Sequence, residues 1–528
     1  DLLEEAGAVR LDCLQQHQQA EDAFRGALEA DPTRQVAFRR LHDLLAARED
    51  AAGLEELVSA RLAIGGPKDR PELLYERARL LRGFSDRPGA LEVLDELFAT
   101  EPEHSGALAL AAEVHVSLEQ WEQAVDCLRR LSQSGIPDEQ RRVAHLGAAD
   151  FLESRLDAKG EALAELRAVE ALGLADPATW LRIGALEEGF DHTGAAIDAY
   201  RRALEADPIE ATAVERLATL MEGEDRDLVL RDYERAIWTK IDEGALDATL
   251  LEGLRRAAHW RGHLERASAV AAVEAALEPG APSVESATDL SHVSMASVWE
   301  RDADTPVDEV VRRAGPALPI PKVRAKKLGA SEAVYTELEH LCERFGARFG
   351  SVSASEQSRG VVARAGREGD VHWIVGQSAR RGLDAVGRFT AGRLAWAVPR
   401  GGGPLLDDTP EKVAGTLAAI LRVCRCPVEE GNPVLPAVAV KLRRATRKSV
   451  QESVGGVSFQ PAQLLETAKR LQRRADRAGL LACGDIAAAF VVLSGGPTSI
   501  SVLRGSARHL DLLRFSVAAD SPLWGTRA

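Results

Sequence analysis

The chain has 528 residues, a formal net charge of −16, 45% hydrophobic residues and only 5% aromatic ones. That length exceeds a single ordinary core, and the Ala, Leu, Arg and Glu bias favours helix, so several domains or a repeat array are expected. Six scattered cysteines with no CxxC pair argue against a disulfide framework and for reduced thiols in a cytoplasm-like compartment, and no apolar run is long enough to span a bilayer. The charge is divided. Residues 1–280 carry 56 acidic and 32 basic side chains, a net of −24, while the remainder carries 26 and 34, a net of +8. An acidic array joined to a basic domain makes contact between the two an expectation.

In chain order, residues 1–32 place Ala8, Ala20, Phe24, Ala27 and Pro32 at positions 8, 20, 24, 27 and 32 of a unit. Prolines expected to stop helices then recur at Pro32, Pro67, Pro102, Pro137, Pro177, Pro208 and Pro279. The unit at 71–102 keeps Ala78 and Ala90, whereas those at 36–67 and 209–243 are degenerate. The stretch 177–208 is the most complete, with Trp180, Ile183, Gly184, Ala196, Tyr200, Ala203 and Pro208 at positions 4, 7, 8, 20, 24, 27 and 32. Small residues at 8 and 20 let two antiparallel helices approach closely, and a period near 34 over about eight units signals a stacked array.

This spacing closely resembles the tetratricopeptide repeat. The resemblance implies a right-handed α-solenoid over residues 1–282, with a groove lined by positions 2, 5, 9, 12 and 13 of each unit. Tyr75, Arg79 and Arg82 fall on that face in one unit, and Leu181, Ala185 and Glu188 in another. The expected partner is an extended or helical protein segment. The chain opens on Asp1, already at position 1 of a unit, so the native protein is expected to continue upstream, and any targeting signal lies out of view. The Ala/Arg bias points to a GC-rich bacterial source.

His259 and His263 stand four apart on an expected helix, a metal-ligand spacing, but Trp260 occupies the place of a catalytic Glu, and no metal is expected. Residues 283–321 are Ser-, Asp- and Pro-rich and read as a linker with a short helix at Val307–Arg313. Residues 322–528 read as a small, helix-rich α+β domain. Its helices are expected at Glu332–Arg348, Leu383–Ala397, Pro410–Val423, Leu435–Thr446, Pro461–Arg477 and Gly484–Leu493, and its strands at Gly360–Ala365 and Asp370–Gly376.

Two phrases of this domain, Ala391-Gly392-Arg393-Leu394-Ala395-Trp396 and Gln472-Arg473-Arg474-Ala475-Asp476-Arg477-Ala478-Gly479, resemble the zinc-site helices of CaaX-prenyl-protease-type gluzincins. By that resemblance Gly392 and Trp396 stand where the family has its histidines, Arg393 where it has its general base, and Gln472 where it has its third ligand. None of these can ligate zinc or activate its water. The resemblance therefore implies a pseudo-peptidase, and no cofactor is expected. P-loop, GxSxG and dinucleotide fingerprints are absent from the sequence. His340, His372 and His509 are widely separated, and Cys424 and Cys426 read as a helix end. Basic runs at Lys322–Lys327, Lys441–Lys448 and Lys469–Arg477 lack interleaved aromatics and read as solvated helix faces rather than a nucleic-acid surface. The expected function is a non-catalytic scaffold for a bacterial multiprotein complex. The alternatives are an enzyme of unrecognised chemistry in residues 322–528, or a basic binder of nucleic acid or membrane surfaces.

Overall fold

The computed structural model describes residues 2–64, 69–277, 304–320, 323–358, 360–366 and 369–518, together with positions 290, 293, 520–521 and 523–524. Pro67, Pro279, Lys322 and most of the expected linker lie outside the described residues. The chain divides into two compact units, residues 1–221 and 222–528, a boundary upstream of the expected linker.

The first unit is a succession of antiparallel helix pairs. Its helices are α1 (Leu2–Asp12), α2 (His17–Ala30), α3 (Gln35–Ala47), α4 (Ala51–Ile64), α5 (Arg70–Gly83), α6 (Arg87–Thr100) and α7 (Ser105–Ser117). They continue with α8 (Trp121–Gln133), α9 (Asp138–Ser154), α10 (Lys159–Ala171), α11 (Pro177–Gly189), α12 (Thr193–Ala206) and α13 (Ala211–Leu220). The odd-numbered helices open each pair. The turn inside each pair carries one non-glycine residue in the left-handed region: Gln15, Glu49, Ser85, Glu119, Asp157 and Asp191. Their spacings of 34, 36, 34, 38 and 34 residues show the period in the backbone itself. A left-handed residue after the last helical turn satisfies the final carbonyls and reverses the chain.

The small residues do what their spacing requires. Gly184 sits under the Tyr200 ring, where an added Cβ would be 2.6 Å from Tyr200 Cε1, and Ala196 and Ala203 are wholly buried. In the first pair the equivalent residue is Gly7, not the expected Ala8. Gly7 is buried against Phe24 while Ala8 is half-buried, because this pair has a four-residue turn where α11/α12 has three. Two prolines are also corrected. Pro137 caps the N-terminus of α9 and Pro177 is the first residue of α11, positions where proline's missing N–H costs nothing.

The second unit opens with three more repeat-like helices, α14 (Gly223–Asp242), α15 (Ala248–Trp260) and α16 (Leu264–Leu277). The helix α15 ends at Trp260 and Gly262 takes φ of 77°, so His263 lies beyond the helix and does not share a face with His259. Then follow α17 (Pro306–Ala314), α18 (Ala333–Arg344) and a four-stranded sheet of order β1 (Lys326–Lys327), β2 (Arg348–Ser355), β4 (Asp370–Gly376), β3 (Val361–Ala365). The strand β2 pairs with β4 in parallel, and β3 pairs with it antiparallel. The helices α19 (Ala385–Ala397), α20 (Pro410–Val423), α21 (Arg444–Val454), α22 (Pro461–Cys483), α23 (Ile486–Ser494), α24 (Ile500–Arg504) and α25 (Ala507–Val517) complete the unit.

The sequence places most of these elements within a few residues. The expected helix Leu435–Thr446 is instead non-helical up to Arg443, because Pro436 disfavours helix before it and its carbonyl packs on α20 at Gly415. The strand β2 escapes the sequence pattern because its small, polar RFGSVSAS run shows little alternation, and the left-handed Gly346 that ends the preceding helix lies inside the expected helix Glu332–Arg348. Cys424 and Cys426 close α20, buried and free.

Candidate protein-docking cleft

The opening helices of successive pairs are joined in the first unit by a ladder of ion pairs and one histidine–carboxylate hydrogen bond. Arg40 of α3 reaches Asp12 of α1 at 3.2 Å, and His42 of α3 meets Glu76 of α5 at 2.6 Å. Arg82 of α5 pairs with Glu113 of α7. Arg182 of α11 bridges Asp150 (2.8 Å) and Glu153 (2.5 Å) of α9, and Arg216 of α13 holds Glu188 of α11. Among the described residues, no ion pair or hydrogen bond joins α7 to α9. An apolar cleft of about 740 Å³ opens there instead.

The cleft follows from side-chain size. Ser105, Gly106, Ala109 and Ala112 of α7 face Ala144 and Gly147 of α9, while Leu128 and Leu131 of α8 form the floor. Val143, Phe151 and Val116 complete the apolar wall, and Val143 is 60% exposed. Val143 thus carries the apolar lining of the cleft out to its mouth. Counting the repeat from Ser105 puts Gly106, Ala109, Glu113 and Val116 at positions 2, 5, 9 and 12. These are positions of the same groove set, in which Tyr75 and Leu181 each stand at position 5 of their own units.

Of the residues expected from the sequence, Leu181, Ala185 and Glu188 come together with Tyr200, Thr212 and Arg216 around a second, smaller cavity of about 360 Å³. Tyr75 is half-buried and its ring stacks 5.1 Å from His104, next to Gly106 of the cleft. Arg79 lies 6.0 Å over that ring, and Arg82 is spent in the ladder.

In the second unit the two phrases that resemble a zinc site do meet, since α19 packs along α22. At the crossing an added Cβ on Gly392 would collide with Ala482 and stand 2.7 Å from the Ala478 carbonyl oxygen. Arg393 Nε lies 2.9 Å from Asp476 Oδ1, with both side chains almost wholly buried, and Arg508 donates to both Asp476 oxygens at 2.8 Å. Burial raises the Asp476 carboxyl above its ordinary value, against the pull of Arg393 and Arg508. Gln472 is fully buried and donates to the Asp408 carbonyl at 2.6 Å. The place is thus filled by a guanidinium–carboxylate core. The run Lys469–Arg477 is likewise not a solvated face: Arg470 pairs with Asp308, Arg474 with Asp304 and Arg477 with Asp511.

On the sheet, Ser351 Oγ lies 2.9 Å from His372 Nδ1, and His372 Nε2 lies 3.0 Å from Asp370 Oδ2. A bulge at Gly350 slips the register so that Ser351, not Gly350, stands opposite His372. His509 is separate and buried, held by Ser494 (2.9 Å) and Ser506 (2.7 Å).

The helix pairs, their left-handed turns and the glycine–tyrosine contact define a tetratricopeptide-type α-solenoid, followed by a helix-rich region with a small sheet. No protein-family model matches the chain, and no curated protein matches it. Among solved structures it is similar to YrrB, described as a TPR protein with an unusual peptide-binding site, at 16% identity and a TM-score of 0.28 over 37% of this chain and 98% of that one. It is also similar to a tetratricopeptide repeat protein of Parabacteroides merdae (13% identity, TM-score 0.26, 48% and 97% covered) and to PilF of Pseudomonas aeruginosa (18%, 0.25, 42% and 96%). Among the described residues, no helix is long and apolar enough to cross a membrane.

Proposed function

We propose that the chain is a protein-interaction scaffold of a bacterial multiprotein assembly, and that the α7/α9 cleft is its principal docking site. The observation that supports this reading most is the interruption of the ion-pair ladder. Five of the six contacts between successive opening helices are closed by an ion pair or, at His42–Glu76, a hydrogen bond, and the sixth is left open, apolar and lined by small residues. Open apolar surface that packing does not require is the usual mark of a partner site. The Leu181, Ala185 and Glu188 cavity extends the same face and serves as a secondary contact. The C-terminal unit acts as a non-catalytic, peptidase-like module, since a guanidinium and an amide stand where zinc chemistry needs imidazole and carboxylate.

The test is selection of a random displayed-peptide library on the full chain, with each clone re-measured on the Ala109→Phe variant. The ring enters open space in the cleft and leaves the core unchanged. Clones weakened at least tenfold by the variant are expected. Clones that bind both proteins equally would remove the cleft from the reading.

The Ser351–His372–Asp370 row favours a second reading, acyl transfer by the C-terminal unit. In it Ser351 Oγ would attack an ester carbonyl while His372 Nδ1 takes its proton, and the ester C–O bond would break with that proton passing to the leaving alcohol. Water would then hydrolyse the acyl-serine, and Asp370 would hold the opposite nitrogen throughout. A fluorophosphonate probe should then label the protein, and label neither Ser351→Ala nor His372→Ala. Equal or absent labelling of all three rejects it.

A further inference from the structure

Resting on the cleft as the docking site, we infer that its occupant is a cationic amphipathic α-helix, with apolar side chains at helical spacing entering between α7 and α9. The inference starts from hydrogen-bonding capacity. A segment lying along the three turns of α7 from Ser105 to Val116 spans roughly 17 Å, at 1.5 Å per helical residue. An extended peptide of that length brings about five backbone carbonyls, at about 3.3 Å per residue, each needing a donor once water is expelled.

The cleft's side chains cannot supply them. Its polar lining consists of Ser105, Glu113, Glu139 and Gln140. Only the Ser105 hydroxyl and the Gln140 amide donate, and both sit at the N-terminal end, while carboxylates only accept. An α-helix has already satisfied its own backbone, so it can enter an apolar cleft without that cost. The wall of Ala109, Ala112, Gly147, Val143 and Phe151 then receives side chains alone.

Charge selects the sign. Among the described residues, Glu113 and Glu139 are the only charged ones that line the cleft. The unit around them holds 43 acidic and 24 basic side chains over residues 1–221, a net of −19. The bridges from Arg82 and Arg142 leave Glu113 and Glu139 about 60% exposed, so they compensate the two carboxylates only weakly. Lys or Arg on the flanks of the incoming helix is therefore attracted, and Glu or Asp is repelled.

Three synthetic 16-residue peptides test this on the full chain by fluorescence anisotropy. One is a Leu/Lys peptide with leucines at helical spacing, one has Glu for every Lys, and one has the first composition with Leu and Lys in strict alternation. The helical Leu/Lys peptide should bind at least tenfold more tightly than either of the others, and at least tenfold more weakly to Ala109→Phe. Equal binding of the alternating peptide, with sensitivity to Ala109→Phe, overturns the helix while leaving the docking cleft standing. Equal binding of the Glu peptide with the same sensitivity overturns the charge selection in the same way. If none of the three responds to Ala109→Phe, the inference fails, and library clones that do respond would still keep the cleft as a docking site.

Discussion

Replacing Asp476 by Asn should strongly destabilise the second unit. Arg393 and Asp476 are 4% and 1% exposed, so the substitution leaves the buried guanidinium with only the solvent-exposed Asp407, 3.5 Å away, as a charge partner. Breaking a buried pair from one side costs about 3–5 kcal/mol, a large part of the roughly 5–15 kcal/mol that holds a domain folded. With a urea m-value of about 3 kcal/mol/M, the unfolding midpoint should fall by about 1–1.7 M. Tryptophan fluorescence is a suitable reporter. Six of the eight tryptophans lie in residues 222–528, and Trp396 is on the same helix as Arg393. The double variant Arg393→Met/Asp476→Leu removes both charges, and Arg508, which is a quarter exposed, can turn to solvent. It should recover at least about 2 kcal/mol relative to Asp476→Asn, because a packed apolar pair replaces a buried ion pair at little cost. A midpoint shift below about 0.3 M for Asp476→Asn, or strictly additive single and double variants, would refute the reasoning.

Gly392→Ala should destabilise by about 1–3 kcal/mol despite alanine's better helix propensity, because its methyl meets Ala482 and the Ala478 carbonyl where α19 crosses α22; thermal unfolding reads it, and an unchanged midpoint contradicts the packing. Glu119→Gly should instead stabilise the first unit by about 0.5–1 kcal/mol, since the left-handed turn at φ of 58° strains any Cβ; hydrogen exchange in α7 and α8 would slow. Burial, aided by Arg508, holds the His509 imidazole below its ordinary value of 6.5. The unfolded chain then takes up a proton that the folded chain refuses. Stability should be full above about pH 6.5 and decline as the pH falls below it, more for wild type than for His509→Gln, and parallel pH profiles would disprove it. Cys13 is exposed, whereas burial pushes Cys127 and Cys342 up to about 11 and Cys483 up to about 12. A thiol reagent at pH 8 should modify one cysteine quickly in the native protein, and fast modification of several would contradict this burial.

The repeat architecture was legible because it is written in local, periodic sterics. A helix pair needs a small residue where it crosses, an aromatic or large residue above it and a terminator. Gly184, Tyr200 and Pro208 announce that within 32 residues. Even the error at Ala8 was local, one extra turn residue shifting the contact to Gly7. In the C-terminal region the helix of Pro410–Val423 and the strand of Asp370–Gly376 were equally plain from their periods of 3.6 and 2.

What the sequence could not order is which distant side chains meet. Arg393 and Asp476 fall in the two phrases that the zinc-site resemblance pairs, but nothing in the sequence marks them as a buried ion pair or adds Arg508, more than a hundred residues from Arg393, to them. Only the crossing of α19 on α22 makes them one buried core. The cleft is subtler still, because it is an absence. Each opening helix carries charges that could bridge to its neighbour, and only the three-dimensional ladder shows that α7 and α9 are not joined. Helix period and turn geometry act within a few residues and are encoded there. Ion pairing and open volume depend on the distance between elements, which the folded backbone alone decides.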